Sequence, residues 1–125
     1  MAATTLVMAP ATAHADPKPP CYGSSCNGKD AQSIGCAGGN ASSVASVSVN
    51  NGDGVLTLRY SSWCHANWAL MTTRTGIGYS FYVENANGDK QYAGISDFSG
   101  WTSMVNGVPK ARACLTPGNI CTGWK

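Results

Sequence analysis

The sequence is poor in charge, in histidine and in long apolar runs, and each shortage removes a class of function. Only 11% of its 125 residues are Asp, Glu, Lys or Arg. Eight basic side chains against six acidic ones leave a formal net charge of +2. A field so weak and balanced gives no electrostatic case for a nucleic-acid partner or an anionic membrane surface. No stretch approaches the ~20 apolar residues of a membrane-spanning helix. The histidines are His14 and His65 alone, and there is no Cys-x-x-Cys pair, so the ligand spacing of a zinc site is missing. A Gly-x-Ser-x-Gly nucleophile elbow is missing as well. Neither a fixed-period repeat nor a heptad is visible.

What is present begins with an export signature. Leu6, Val7 and Met8 lie in an alanine-rich apolar stretch, and Ala13-His14-Ala15 has the small-x-small form that signal peptidase cuts after. Residues 1–15 are therefore expected to be a signal peptide, followed by a proline-rich lead over 16–20. No Lys or Arg precedes Lys18, although export signals open with positive charge, so the true translation start is expected upstream. Residues 21–125 then form one domain, long enough to bury roughly two-thirds of its extended surface.

Six cysteines, Cys21, Cys26, Cys36, Cys64, Cys114 and Cys121, all follow the expected cleavage site. An even set behind an export signal implies a disulfide framework and an extracellular location. Fifteen pairings are open, and the sequence alone does not choose among them. Loop chemistry ranks them. Cys21 and Cys26 flank a short Gly/Ser segment, and Cys114 and Cys121 flank the turn dipeptide Pro117-Gly118. Closing both locally leaves Cys36 for Cys64, a longer bridge that the loop-entropy relation makes the most stabilising.

Residues 21–40 are rich in Gly, Ser, Asn and Asp and are expected to be a loop-rich cap. Beyond them the pattern turns to strands. Val47 and Val49 alternate with serines, Asn50 to Gly54 interrupts, and Leu56, Leu58 and Tyr60 alternate with Thr57 and Arg59. This is a β-hairpin with the Leu56/Leu58/Tyr60 face buried and Arg59 toward water. A second hairpin is expected from Tyr79–Glu84 through Asn85–Asp89 to Lys90–Ile95. A third is expected from Trp101–Val105, turning at Asn106-Gly107 and returning over Lys110–Leu115. Ser61 to Thr73 fits a helical turn and a strand equally well. The fold class is thus all-β: a small antiparallel sandwich or barrel of about six strands with a disulfide-bonded cap.

Cys21-Tyr-Gly-x-x-Cys26-x-Gly-Lys29-Asp30 opens a wider pattern. It continues with Arg59-Tyr60-Ser61, Cys64-x-Ala66-x-Trp68-Ala69, Met104-Val105, Ala113-Cys114 and Cys121-Thr122-Gly123-Trp124. The set resembles the YjfA-like family of small exported proteins, common in filamentous actinobacteria. It covers essentially the whole mature chain, although His65 stands where a Lys or Arg is more usual. The resemblance implies secretion and a disulfide-bonded β domain, and carries no established activity. A weaker likeness is to the adaptor subunits of umbrella-shaped secreted antibacterial toxin particles, which link a lectin subunit to a stalk-bearing toxin chain.

Candidates for chemistry are few. His65 is the one mature histidine, no serine has an activating context, and disulfides leave no thiolate. Surface placement is the expectation for His65. Carboxylate pairs for glycoside hydrolysis would have to come from Glu84 and five aspartates, of which Asp53 and Asp89 sit in turn sequences. The loop Asn50–Gly54 lacks the acidic twelfth ligand of a calcium loop, where Ser61 stands. No metal, no cofactor and no enzymatic activity are expected.

Binding is the better expectation. Trp63 and Trp68 are expected in the core beside Cys64, whereas Trp101 and Trp124 are candidates for an exposed site. Lys29 and Asp30, with the lead, are candidates for a recognition arm. The expected function is a secreted, non-enzymatic binding or adaptor protein for an extracellular protein partner. The alternatives are a carbohydrate- or cell-wall-binding module and a protease inhibitor presenting Leu115–Ile120.

Overall fold

The structure, a computed structural model, describes residues 18–125. The expected signal peptide, and Asp16 and Pro17 of the lead, lie outside the described residues. The remainder is nearly all β: β1 (Ala41–Val49), β2 (Gly54–Ser61), β3 (Ala66–Thr73), β4 (Tyr79–Asn85), β5 (Lys90–Ile95), β6 (Ser99–Trp101), β7 (Val105–Asn106), β8 (Ala111–Leu115) and β9 (Ile120–Cys121). Among the described residues helical structure is limited to a 3-10 turn, Gly23–Cys26, and a single-turn helix α1, Ala31–Ile34.

The strands form two antiparallel sheets. The first runs β1-β2-β3-β6, with β7 also pairing β3, and the second runs β5-β4-β8-β9. The first expected hairpin is β1–β2, and its turn is set by Asn50, Asn51 and Gly52 at φ 52°, 55° and 87°. That is left-handed backbone, which glycine and asparagine enter at least cost. The second hairpin is β4–β5, where the Asn85 side-chain oxygen accepts the Asn87 and Asp89 N–H groups, each at 3.0 Å. β1 lies at the edge of its sheet, and the β1–β2 register shifts between Ser43 and Ala45, leaving Val44 as a bulge.

Period-two alternation sends one face of each sheet into a common core. Leu56, Leu58 and Met71 of the first sheet meet Phe81, Val83 and Ala113 of the second, all with no exposed surface. Each large apolar side chain buried this way contributes about 1.5–3 kcal/mol. Tyr60, expected on the same face, is only half-buried near the sheet's end.

The cap packs on the opposite, outer face of the first sheet. Cys21, Cys26, Ala31 and Cys36 form a second apolar cluster with Cys64, Trp68 and Met104. Trp63 packs half-buried at its edge. β3 is therefore covered on both sides, and Ala66, Asn67, Trp68 and Ala69 are all buried in succession. This removes the alternation that would have identified Ser61–Thr73 as strand.

The third expected hairpin does not form. β6 and β7 both pair β3 in the first sheet, whereas Ala111–Leu115 pairs β4 in the second. A two-residue type I′ turn needs positive φ at both central residues, and among the described residues neither Asn106 nor Gly107 has it. Instead the Asn106 N–H donates to the Asn27 side chain at 2.7 Å and the Gly107 N–H to the His65 carbonyl at 2.9 Å. Asn106-Gly107 is a crossing point between sheets, pressed against the backbone at His65 and Ala66.

Candidate binding surfaces on the two outer faces

Three disulfides brace the scaffold: Cys21–Cys26, Cys36–Cys64 and Cys114–Cys121, the pairs ranked first by loop chemistry. The first two are neighbours. The sulfurs of Cys21, Cys26, Cys36 and Cys64 all lie within 4.8 Å of one another, a convergence that spacing along the sequence does not reveal. In disulfides these sulfurs have no thiolate to offer a metal.

The first surface is built where the cap meets β6. Asp30 caps α1, its Oδ2 accepting the Ser33 N–H at 2.8 Å. Its Oδ1 accepts the indole N–H of Trp101, also at 2.8 Å. The Ser33 amide, then the indole, hold the Asp30 carboxyl below its ordinary pKa, since both stabilise the charged form. Trp101 lies opposite Leu70 in the ladder and so shares the outer face of the first sheet. The residue remains 38% exposed.

Two hollows flank that ring. One, of about 460 Å3, is lined by Asp30, Ile95, Ser96, Asp97 and Ser99, together with Gly94 and Gly100. The other, of about 200 Å3, lies between the cap and the sheet and is lined by Gln32, Arg59, Trp68 and Leu70. Arg59, expected toward water, is half-buried here and donates to the Ser43 hydroxyl at 2.9 Å. Two of the sequence candidates, Asp30 and Trp101, are thus hydrogen-bonded partners. Lys29 is exposed beside them, its carbonyl accepting the Met104 N–H at 2.8 Å. This segment is docked to the sheet and is not a free arm.

The second surface is the outer face of the other sheet. Cross-strand registry places Tyr92, Tyr82 and Cys114 in one rung and Lys90, Glu84 and Arg112 in the next. Glu84 accepts from Arg112 Nε at 2.8 Å and pairs with Lys90 Nζ at 3.7 Å. The Lys90 ammonium lies 4.7 Å from the Tyr82 ring centre and 5.7 Å from that of Tyr92. A hydrogen bond with Tyr92 is the main cause holding the Lys90 pKa above its ordinary value. Trp124 extends the row, its ring centre 4.5 Å from the Arg112 guanidinium carbon. The tail is fixed by Lys125, whose N–H and carbonyl both pair with Ala111. Tyr92 is 62% exposed and Trp124 41%. Sequence reasoning singled out Trp124 but not this row. The β4–β5 register carried the Tyr/Lys/Glu part of the signal; Arg112 required knowing that β8 lies beside β4.

Other candidates have local roles. His65 is half-buried at φ 50°, its ring 4.5 Å from Tyr22 and 6.1 Å from Tyr60. Asp53 accepts the Thr75 and Tyr79 hydroxyls, each at 2.8 Å, tying the first hairpin to the following loop. Leu115 pairs directly with Ile120, so the segment between them is a four-residue turn.

These features define a small two-sheet, disulfide-braced β domain. Residues 24–114 match the family described as a protein of unknown function, DUF2690, and the chain belongs to that family. No curated protein and no solved structure gives a significant match. No helix of the described residues is long and apolar enough to cross a membrane.

Proposed function

We propose that the protein is a secreted, non-enzymatic binding or adaptor module that engages an extracellular protein partner through the outer face of the second sheet. The observation that carries this reading is the Tyr92–Tyr82–Lys90–Glu84–Arg112–Trp124 row. Tyr, Trp and Arg are the side chains that most often anchor protein interfaces. Here Tyr82, Tyr92 and Arg112 sit on paired strands beside a disulfide, and Trp124 packs on Arg112 in a tail pinned by the Lys125–Ala111 backbone pair, so less conformational entropy remains to be lost on binding. The export signature and three disulfides support an extracellular setting. The YjfA-like resemblance agrees with secretion, and the likeness to adaptors of umbrella-shaped toxin particles names one kind of partner, a toxin-complex subunit.

The test is co-purification of the tagged protein from its producer's culture supernatant. A stoichiometric protein partner is expected with the parent chain, and its affinity should fall by about tenfold or more in Trp124→Ala and in Tyr92→Ala. Capture unchanged in both variants would refute this surface, and the absence of any partner would refute the adaptor reading.

A further inference from the structure

The Asp30–Trp101 surface faces away from the proposed protein-binding row and differs from it in chemistry. We infer that it is a saccharide-binding site taking an uncharged or amino-sugar oligosaccharide of at least two residues, with one ring stacked on Trp101.

Trp101 is pre-set for stacking. Its single polar group is already satisfied by Asp30, so the ring plane is fixed and its free face needs only an apolar patch such as a pyranose offers. Around it stand hydrogen-bonding groups suited to sugar hydroxyls: the Asp30 and Asp97 carboxylates and the Ser96 and Ser99 hydroxyls. The large hollow contains two carboxylates and no basic side chain in its lining. That balance disfavours a uronic or sulfated ring in the large hollow and favours a neutral or amino sugar there, while Arg59 in the second hollow offers a donor to the next residue.

Size decides against a single basic side chain of a protein partner as the occupant. A volume of about 460 Å3 lies within the range of small-molecule pockets and far exceeds a guanidinium group. The second hollow, on the other side of the same ring, makes room for a further sugar residue. Gly100 is glycine for a steric reason: a Cβ there would clash with Ile95 Cγ2. At Gly94 a Cβ would meet only ordinary contacts, 3.7 Å from the Tyr79 carbonyl and 3.9 Å from the Ser80 hydroxyl. A side chain there would point to the outer face of the second sheet, beside Ser80, so the hollow is probed instead at Asp97 in its lining.

The experiment is titration of the full chain with chitotetraose, cellotetraose and a soluble peptidoglycan digest, followed by tryptophan fluorescence and calorimetry. At least one should bind, with a fluorescence change and little dependence on salt. Trp101→Ala should weaken that binding by about tenfold or more. Asp97→Ala should weaken it several-fold while keeping the parent circular dichroism and melting temperature, and Trp124→Ala should leave it unchanged. The inference is overturned if none of the three saccharides binds, or if binding is undiminished in both cleft variants. It is also overturned if hexa-arginine binds in a Trp101-dependent, salt-sensitive way and the saccharides do not. Because the partner pull-down reads Trp124 and Tyr92, either proposal can fail without the other.

Discussion

Removing the Cys36–Cys64 bridge should be the most costly disulfide deletion, because it closes the longest loop and is the disulfide that joins the cap to the β2–β3 turn. The cysteines are 28 positions apart. The loop-entropy relation assigns such a closure about 3.5 kcal/mol, against about 2.5 kcal/mol for a bridge between residues seven apart, as in Cys114–Cys121. Unfolding entropy near 2.1 cal/mol/K per residue over roughly 108 residues turns these into melting-temperature losses of about 15 °C and 11 °C. Packing widens the gap: Cys36 and Cys64 are both fully buried, whereas Cys121 is half-buried. The assay is calorimetric melting without reductant of Cys36→Ala/Cys64→Ala beside Cys114→Ala/Cys121→Ala. A second readout is a red shift of tryptophan emission in the first variant only, as Trp68 loses its cover. Equal melting temperatures, or a lower one for the Cys114/Cys121 variant, would refute the reasoning.

Four further outcomes follow from contacts already described. Asp30→Ala should cost about 1 kcal/mol in urea unfolding through loss of the cap on α1, and should free the Trp101 indole. Since the folded-state pKa of Asp30 lies below the ordinary 3.8, its contribution to stability is complete above about pH 4 and is lost as pH falls through the folded value. The urea midpoint of Asp30→Asn should therefore change less between pH 6 and pH 3 than the parent's. Leu58→Ala should destabilise by about 3 kcal/mol, measured by the same unfolding, because the side chain is wholly buried between the sheets. Gly107→Ala should cost about 2 kcal/mol or more, since its Cβ would fall 2.8 Å from the Ala66 nitrogen and 2.9 Å from the His65 carbonyl carbon.

Legibility in the sequence followed the physics of each segment. The β1–β2 and β4–β5 hairpins were readable because their turns are satisfied locally, by asparagine and glycine in left-handed backbone and by the Asn85 side chain. Asn106-Gly107 has equally strong turn chemistry and misled, because its hydrogen bonds run to Asn27 and His65, distant in sequence. β3 was ambiguous for a tertiary reason, the cap that buries its outer face. The two surfaces were half-visible. Trp101, Trp124 and Asp30 stood out as residue types, but the bond joining Asp30 to Trp101 spans 71 positions. Nothing local announces it. The convergence of four cysteine sulfurs was hidden likewise, because it depends on how the cap folds back.

The bulge in β1 has a consequence for how the molecule keeps its own company. β1 is a nine-residue border strand composed only of alanine, serine and valine, with no charge and no proline to discourage a neighbour. Such a border invites a second copy to add itself on, strand to strand, in growing stacks. The irregular step at Val44 breaks the run of evenly spaced backbone groups into two short pieces. Neither piece is long enough to hold a stranger firmly. One extra residue interrupts this border as lysines do on the borders of more highly charged proteins, and so makes the strand a poorer template for a second copy.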